Sequence, residues 1–239
     1  LDTMDNISYT TRKSCRVCGS SNLTKIFSLG NLCVSDFPDS GDAASVCVPL
    51  SLVLCNVSDG GCGLLQLEHT VSHEVMYRNY WYRSGMNKTM TEELVGIARK
   101  VESIFPLAPG DYVMDIGAND GTLLRGYSVD GIQRTGFEPA RNLGEYNRVG
   151  TTKVLNDFFS AASWRVAFGD TKAKAITAIA MFYDIEDPNA FVADIASCLD
   201  KDGVLIIQMS YLPLMITQNA FDNICHEHLE YYSLLSLEH

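Results

Sequence analysis

Basic residues are scarce in this chain, and it contains no long apolar run. There are 18 Lys and Arg residues against 29 Asp and Glu, which gives a formal net charge of −11 at pH 7 over 239 residues. Such a charge repels a phosphate backbone, so we expect no nucleic-acid partner. The longer apolar runs, such as residues 176–183, fall well short of the roughly 18 residues that span a bilayer, so we expect no membrane span.

Low-complexity runs, repeats and a recognisable leader are also missing. The chain is 46% apolar and 20% charged, which is typical of a globular protein. Its start, Leu1-Asp2-Thr3, has no basic-then-apolar pattern, so we expect a cytoplasmic protein. Because the chain starts with leucine instead of methionine, removal of a leader stays open as an alternative.

Cysteines, in contrast, are numerous and unevenly distributed. Six of the eight fall within the first 62 residues: Cys15, Cys18, Cys33, Cys47, Cys55 and Cys62. Cys15 and Cys18 flank a tight turn before Gly19, and Cys55 with Cys62 supplies a second pair. Four thiolates of this kind complete a tetrahedral zinc site. The sequence therefore predicts a zinc-binding module over residues 1–70.

Two features leave alternatives open in this module. The second pair is wider than the usual C-x2-C, with residues 58–61 as a turn between the ligands. A disulfide module is the other interpretation, since the chain carries Asn-x-Ser/Thr sequons, as at Asn22 and Asn56. Cys33 and Cys47 have no partner spacing, so we expect small buried hydrophobic residues or free thiols, or replacement ligands if Cys62 fails.

The next residues predict a helical connector over 71–108 and an α/β domain over 109–239. Thr89 and Glu92 fit a capping box, followed by apolar residues at helical spacing to Phe105. Strands are then predicted over 112–116, 135–137, 175–181 and 204–209, with helices after Gly121, from Ala140 and over 188–199. This alternation indicates a parallel, doubly wound sheet.

A glycine-rich loop ends the first strand of this domain. Its candidate cofactor-binding residues are Asp115, Gly117, Asn119, Asp120 and Gly121. The two glycines allow a tight turn and a close approach of the backbone to a ligand. Because the loop is not G-x-G-x-x-G, it suits a ligand without a pyrophosphate.

Further candidates follow the next two strands. Glu138 is placed where a ribose diol would be bound, and Asp157 and Phe158 are placed where an adenine would lie. Taken in order, these residues predict an adenosine ligand with a cationic or neutral tail. The alternatives are a packing turn at the glycines and a carboxylate at a helix start for Glu138.

The loop and Glu138 resemble the first two motifs of class I S-adenosylmethionine-dependent methyltransferases. The four-cysteine module, residues 82–87 (YRSGMN) and residues 221–233 (FDNICHEHLEYYS) resemble the nucleotide-sugar C-methyltransferases. That resemblance implies a Rossmann-like class I sheet after a zinc module, with S-adenosylmethionine and zinc as cofactors. It also implies a small-molecule substrate, a nucleotide-linked deoxy-keto-sugar methylated next to its ketone. Those relatives continue into a C-terminal substrate domain, which we expect to be absent here.

Carbon methylation of this kind needs a base for the C–H bond and donors for the enolate oxygen. By resemblance, the candidates are His226, Glu227, His228 and Tyr82. The chain departs from the family pattern twice, with Cys225 in place of a tyrosine and Asp184 in place of a histidine, so Asp184 joins the catalytic candidates.

Other interpretations of these residues stay open. The two histidines could bind a metal or be hydrogen-bonded structurally, and Tyr231 and Tyr232 are expected to pack. The acceptor could be another small metabolite, or the chain could be a non-catalytic zinc and Rossmann scaffold. We expect a monomer or a weak homodimer.

Overall fold

The computed structural model describes residues 9–34 and 47–239, so Leu1–Thr3 lie outside the described residues. It divides the chain into two compact units. The first contains the described part of Leu1–Met76 with Phe182–Asn189 and Met209–His239, and the second contains Tyr77–Met181 with Ala190–Gln208. Within the described ranges, no helix is both long and apolar enough to cross a membrane.

The strands and helices of the described residues are numbered along the chain. The strands are β1 (Tyr9–Thr11), β2 (Leu23–Cys33), β3 (Cys47–Cys55), β4 (Leu65–Leu67), β5 (His69–Val71), β6 (Tyr112–Ile116), β7 (Gln133–Phe137), β8 (Lys153–Leu155), β9 (Ala173–Ile179), β10 (Leu199–Gln208) and β11 (Glu230–Tyr231). The helices are α1 (His73–Tyr77), α2 (Lys88–Ile104), α3 (Thr122–Gly126), α4 (Gly144–Asn147), α5 (Ala161–Phe168), α6 (Pro188–Cys198), α7 (Leu212–Gln218) and α8 (Leu234–Leu237).

The first unit is built on an antiparallel sheet of order β11-β4-β3-β2, and β1 pairs separately with β5. Its core joins β3, β4 and the C-terminal segment through Leu50, Leu52, Leu67, Met215, Leu229 and Tyr231. Residues 209–239 therefore belong with the N-terminal strands, because β11 pairs with β4 and this apolar cluster spans both. The predicted division placed them in the 109–239 domain instead.

The second unit contains a five-stranded sheet of order β10-β9-β6-β7-β8, in which every pairing is parallel. Alternate residues of β6 face opposite sides of the sheet. Val113 packs in a cluster with Leu94 of α2 and Leu123 of α3, whereas Met114 packs in another with Trp164 of α5. Helices cover both faces, so the predicted doubly wound α/β fold is confirmed.

Two element boundaries differ from the sequence prediction. Helix α2 begins at Lys88, because the side chain of Asn87 accepts a hydrogen bond from the amide of Met90 and caps the helix. The predicted capping box at Thr89 and Glu92 is therefore wrong. Strand β9 ends at Ile179 because Ala180 has φ 52°, a left-handed conformation that interrupts a strand.

Candidate functional site

The first cysteine pair lies on a tight turn. The amide of Gly19 donates to the carbonyl of Cys15 (3.0 Å), and the amide of Cys15 donates to the carbonyl of Ser20 (2.8 Å). Gly19 has φ 73°, which a residue with a Cβ adopts only with strain. This turn holds Cys15 and Cys18 on the same side of the loop.

The six residues between Cys55 and Cys62 form a compact turn, which explains the wide spacing. Val57–Asp59 make one 3-10 turn capped by the side chain of Asn56. The chain then returns past Cys55, and a Cβ on Gly61 would lie 2.5 Å from the Cys55 Sγ. Glycine at 61 therefore allows the return that brings Cys62 back beside Cys55.

The four thiols converge and fit a zinc ion. The Sγ atoms of Cys15 and Cys62 are 3.5 Å apart, those of Cys18 and Cys55 are 3.4 Å apart, and all four lie within 4.8 Å of one another. A tetrahedron with Zn–S bonds of about 2.3 Å has S–S edges of about 3.8 Å. Four thiolates leave no open ligand position, which is typical of a structural site.

The other two N-terminal cysteines agree with one of the two alternatives that the sequence left open. All eight cysteines lie in the described residues, and none is joined in a disulfide. Cys33 and Cys47 are exposed thiols outside any disulfide, so the second of the two expected alternatives is confirmed and the first, small buried hydrophobic residues, is wrong. They are the last residue of β2 and the first residue of β3.

In the second unit, the glycine-rich loop follows β6 at the centre of the sheet. Strand order reverses between β6 and β9, and open α/β sheets bind their ligands beside such a reversal. Asp115 is buried and accepts a hydrogen bond from the Thr177 hydroxyl (2.6 Å) on β9. Burial raises the pKa of Asp115 to about 7. Sequence reasoning missed Thr177, because only the β6–β9 register places it opposite Asp115.

Glu138 lies at the end of β7 and joins the loop to the next turn. Its Oε2 accepts from the amide of Asn119 (2.6 Å), and its Oε1 accepts from the amide of Ala140 (2.8 Å). Burial raises the pKa of Glu138 to about 7, although both amides favour the charged form. This carboxylate can take up or release a proton near neutral pH, and its predicted contact with a ribose stays a prediction.

Residues 82–87, which the sequence analysis connected with catalysis, are bound to the same loop through main-chain groups. The side chain of Asn119 donates to the carbonyl of Tyr82 (3.0 Å) and accepts from the amide of Ser84 (2.9 Å). The Asp120 carboxylate accepts from the amide of Gly85 (2.8 Å). Asn119 and Asp120 thus position this segment, and their predicted contact with a cofactor stays a prediction.

The predicted adenine-binding residues follow β8. The Asp157 carboxylate accepts from Arg78 (3.1 Å), and the Arg78 guanidinium lies 4.6 Å from the centre of the Phe158 ring. Arg78 therefore holds both side chains in place. It carried no motif signal in the sequence.

The His-Glu-His segment lies in the first unit, and its two histidines have different surroundings. His226 is 4% exposed, and its Nε2 donates to the carbonyl of Val48 on β3 (3.0 Å). A buried imidazole that donates a hydrogen bond to a backbone carbonyl has a structural role. His226 is therefore less suited to proton transfer than the sequence predicted.

His228 is only partly buried, and its tautomer is fixed. Its Nδ1 lies 2.7 Å from the carbonyl of Asn223, and since a carbonyl only accepts, Nδ1 carries the proton. Burial lowers the pKa of His228, which favours the neutral ring at pH 7. The ring of Tyr183 packs on it edge to face, with 4.3 Å between the ring centres. Nε2 then holds the lone pair that a general base needs.

The remaining catalytic candidates in this unit surround His228 in sequence or in space. Burial and the neighbouring Glu227 raise the pKa of Cys225 to about 12, so this thiol stays protonated at neutral pH and cannot act as a base. Glu227 is half-buried, and Asp184 follows Tyr183 in a 3-10 turn. The roles of His228, Glu227 and Asp184 in catalysis stay predictions.

A buried ion pair connects the zinc knuckle with the strand that follows the His-Glu-His segment. The Nε of Arg16 lies 3.6 Å from Oε1 of Glu230, and both side chains are fully buried. Arg16 also donates to the Leu67 carbonyl (2.7 Å) and to Thr70 (2.6 Å). Sequence reasoning missed this pair, because each residue looks like an ordinary surface charge in its own segment.

Comparison with known families finds a match for each of two parts of the chain. A family model described as a methyltransferase domain matches residues 86–239, more than half of the chain. The chain belongs to the methyltransferase domain family. A family model for a zinc binding domain matches residues 15–77, which contain the four converging thiols. The predicted class I sheet and the predicted zinc module are thus confirmed.

Individual relatives are more distant. The C-methyltransferase NovU of Streptomyces niveus is 28% identical over 227 residues, which are 93% of this chain and 53% of NovU. The chain therefore spans about half the length of this curated relative. A chain in the complex of the Haloferax volcanii Trm112 methyltransferase activator with a methyltransferase is 21% identical, with a TM-score of 0.49 over 62% of this chain and 67% of that one. The plantazolicin methyltransferase BamL is 15% identical, with a TM-score of 0.48 over 63% and 60%.

Proposed function

We propose that this protein is an S-adenosylmethionine-dependent C-methyltransferase that methylates the carbon next to the ketone of a nucleotide-linked deoxy-keto-sugar. The observation that carries the proposal is the fixed tautomer of His228 in a chain of the methyltransferase domain family. The name of NovU, a C-methyltransferase, supports carbon as the methylated atom. The resemblance of residues 221–233 to nucleotide-sugar enzymes supports the acceptor.

The cofactor half of the proposal depends on the loop after β6. When bound, S-adenosylmethionine supplies a methyl group on a sulfonium, which a carbanion can attack. Glu138 would accept hydrogen bonds from the ribose hydroxyls, and Gly117 and Gly121, both at positive φ, keep the loop open to a ligand. Asp157 and Phe158, held by Arg78, would contact the adenine.

The acceptor half depends on a base. The Nε2 of His228 would take the proton from the carbon next to the ketone, and the negative charge would move to the ketone oxygen as the C=C bond of the enolate forms. The Asn223 carbonyl stabilises the imidazolium that results, because it accepts from Nδ1. Glu227, Asp184 and the phenol of Tyr82 stay candidates for orienting the base or for hydrogen bonding to the enolate oxygen.

The zinc site would support this chemistry through structure alone. Its four thiolates fill the tetrahedron, so no position is left for a substrate oxygen. Cys15 and Cys18 flank Arg16. The buried partner of Arg16 is Glu230, which lies two residues after His228 in the sequence. The knuckle therefore holds the chain close to the proposed base.

A first prediction concerns the pH dependence of cofactor binding. Glu138 has a pKa of about 7, and only its ionised form accepts from both hydroxyls of a ribose. The affinity for S-adenosylhomocysteine is therefore expected to fall as the pH decreases below 7, by up to about tenfold per unit. Calorimetric titrations between pH 6 and pH 8 measure this slope. Glu138→Gln is expected to remove this dependence of affinity on pH. Asp115 also has a raised pKa, and Asp115→Asn is expected to leave the dependence in place.

A second prediction concerns the base. His228→Asn places an amide NH2 near the position of Nδ1, so the hydrogen bond to the Asn223 carbonyl is retained while the basic nitrogen is lost. In D2O, the wild-type chain is expected to exchange the acidic hydrogen of the keto-sugar for deuterium, and His228→Asn to slow this exchange by about 10²- to 10⁴-fold. Because burial lowers the pKa of His228, the wild-type rate is expected to rise with pH and to reach its plateau at a lower pH than with an ordinary histidine as the base.

His226→Gln is the matched control for this experiment. Its amide NH2 lies near the position of Nε2, so the hydrogen bond to the Val48 carbonyl is expected to be retained, with the pH profile of exchange unchanged. Exchange that is equally fast in His228→Asn and wild type would exclude His228 as the base. If mass spectrometry places the new methyl on an oxygen or nitrogen of the acceptor, the proposal is wrong. The protein would then be a methyltransferase for another small metabolite.

A further inference from the structure

Two cysteines outside the zinc tetrad face each other across a strand pair. Cys33, the last residue of β2, and Cys47, the first residue of β3, are direct partners in the antiparallel register. Their Sγ atoms are 2.9 Å apart, and both residues are exposed. Facing residues of antiparallel strands have Cα atoms about 4.5 to 5.5 Å apart, which is within the range that a disulfide bridges.

The separation of these sulfurs differs from that in the metal site. In the tetrad the closest sulfurs are 3.4 Å and 3.5 Å apart, near the edge of a zinc tetrahedron, whereas 2.9 Å is too close for two ligands of one zinc ion. Among the described residues, the only group of three or more candidate ligands is the tetrad itself. The Cys33–Cys47 pair is therefore suited to a sulfur–sulfur bond and not to a metal.

We propose that Cys33 and Cys47 form a reversible dithiol–disulfide site that reacts with small-molecule disulfides of the glutathione class. One thiolate attacks a sulfur of the small disulfide, whose S–S bond breaks and releases one small thiol, leaving a mixed disulfide on the protein. The second protein thiolate attacks the protein sulfur of that mixed disulfide and releases the second small thiol. The two cysteines lose two electrons and two protons, and the small disulfide gains both.

The order of attack follows from the pair's own interaction. The pKa of Cys47 is raised, chiefly by its hydrogen bond with Cys33. Cys47 is therefore the weaker nucleophile at neutral pH, and Cys33 makes the first attack while Cys47 completes the bond. The disulfide would join the last residue of β2 to the first residue of β3. Strand β2 is the edge strand of the sheet. Oxidation would thus add a covalent link between this edge strand and β3, the strand that pairs with it.

The test uses the full chain loaded with zinc and treated with oxidised glutathione. Cleavage after lysine and arginine and before aspartate gives residues 26–35, which contain Cys33, and residues 42–58, which contain Cys47 and Cys55. Fragmentation of the joined peptides then distinguishes Cys47 from Cys55. Mass spectrometry is expected to find these two peptides joined with the loss of two hydrogens, at unchanged zinc content. Labelling of Cys47 by iodoacetamide is expected to fall at least about tenfold and to return after reduction.

Variants separate this site from general thiol reactivity. Cys33→Ser and Cys47→Ser are each expected to stop at a stable glutathione adduct on the remaining cysteine, and Cys198→Ser, at a buried cysteine of the second unit, to oxidise as the wild type does. Glutathione adducts that persist on both Cys33 and Cys47 of the wild type would overturn the proposal. Disulfides formed within the tetrad with release of zinc, while Cys33 and Cys47 stay open to labelling, would overturn it as well.

Discussion

Cys55→Ser is expected to release the zinc ion and unfold the first unit. Cys55 is fully buried between β3 and the turn that carries Cys62, so a hydroxyl there replaces a thiolate ligand and no other side chain of the tetrad can substitute. Structural zinc sites contribute about 10–16 kcal/mol in zinc-finger peptides, whereas domains are stable by about 5–15 kcal/mol. Loss of tight zinc binding therefore removes most of the stability of the unit.

Elemental analysis and urea unfolding measure this effect together. The wild type is expected to contain one zinc ion per chain, and Cys55→Ser to contain little and to lose the unfolding transition of the first unit. Cys198→Ser is the matched control, because Cys198 is equally buried but lies outside the tetrad. A Cys55→Ser protein with full zinc content and an unchanged midpoint would show that these thiols do not hold the metal.

Arg16→Met is expected to cost the first unit about 3–5 kcal/mol of unfolding free energy. The substitution leaves the Glu230 carboxylate without a charge partner, and burial already raises its pKa well above the ordinary value despite the attraction of Arg16. It also leaves the Leu67 carbonyl and the Thr70 hydroxyl without their donor. Urea unfolding with a constant m-value measures the loss.

Two further variants make this prediction specific. Arg16→Met combined with Glu230→Gln removes both charges and is expected to recover part of the loss. Arg99→Met removes the half-exposed partner of Glu102 in an ion pair on α2 and is expected to cost no more than about 0.5 kcal/mol. If Arg16→Met costs as little as Arg99→Met, the buried pair does not stabilise the unit.

The sequence was most informative where structure depends on neighbouring residues. Strand β6 has the predicted bounds, 112–116, because an apolar run ends at a glycine turn. The Cys15–Cys18 knuckle and the loop at Gly117 and Gly121 are also local patterns, since each depends on a turn of a few residues.

The sequence pattern did not predict features that depend on contacts between residues far apart in the chain. The grouping of residues 209–239 with the N-terminal strands depends on a two-residue strand, β11, which has too little pattern to be seen in a sequence. The facing of Cys33 and Cys47 depends on the β2–β3 register across residues 34–46. The different surroundings of His226 and His228 depend on two carbonyls, those of Val48 and Asn223, and a carbonyl leaves no mark in the side-chain pattern.

The most direct test of the account is a calorimetric titration of the zinc-loaded chain with S-adenosylhomocysteine at pH 8. The account predicts one site with a Kd on the order of micromolar, weakened about 10- to 100-fold by Glu138→Gln, because a hydrogen bond to a charged group contributes about 1.5–3 kcal/mol. Glu145→Gln, at an exposed carboxylate on α4, is the matched control and is expected to bind as the wild type does. A folded, zinc-loaded sample without heat at two temperatures, or binding that Glu138→Gln leaves unchanged, would contradict the proposed cofactor site.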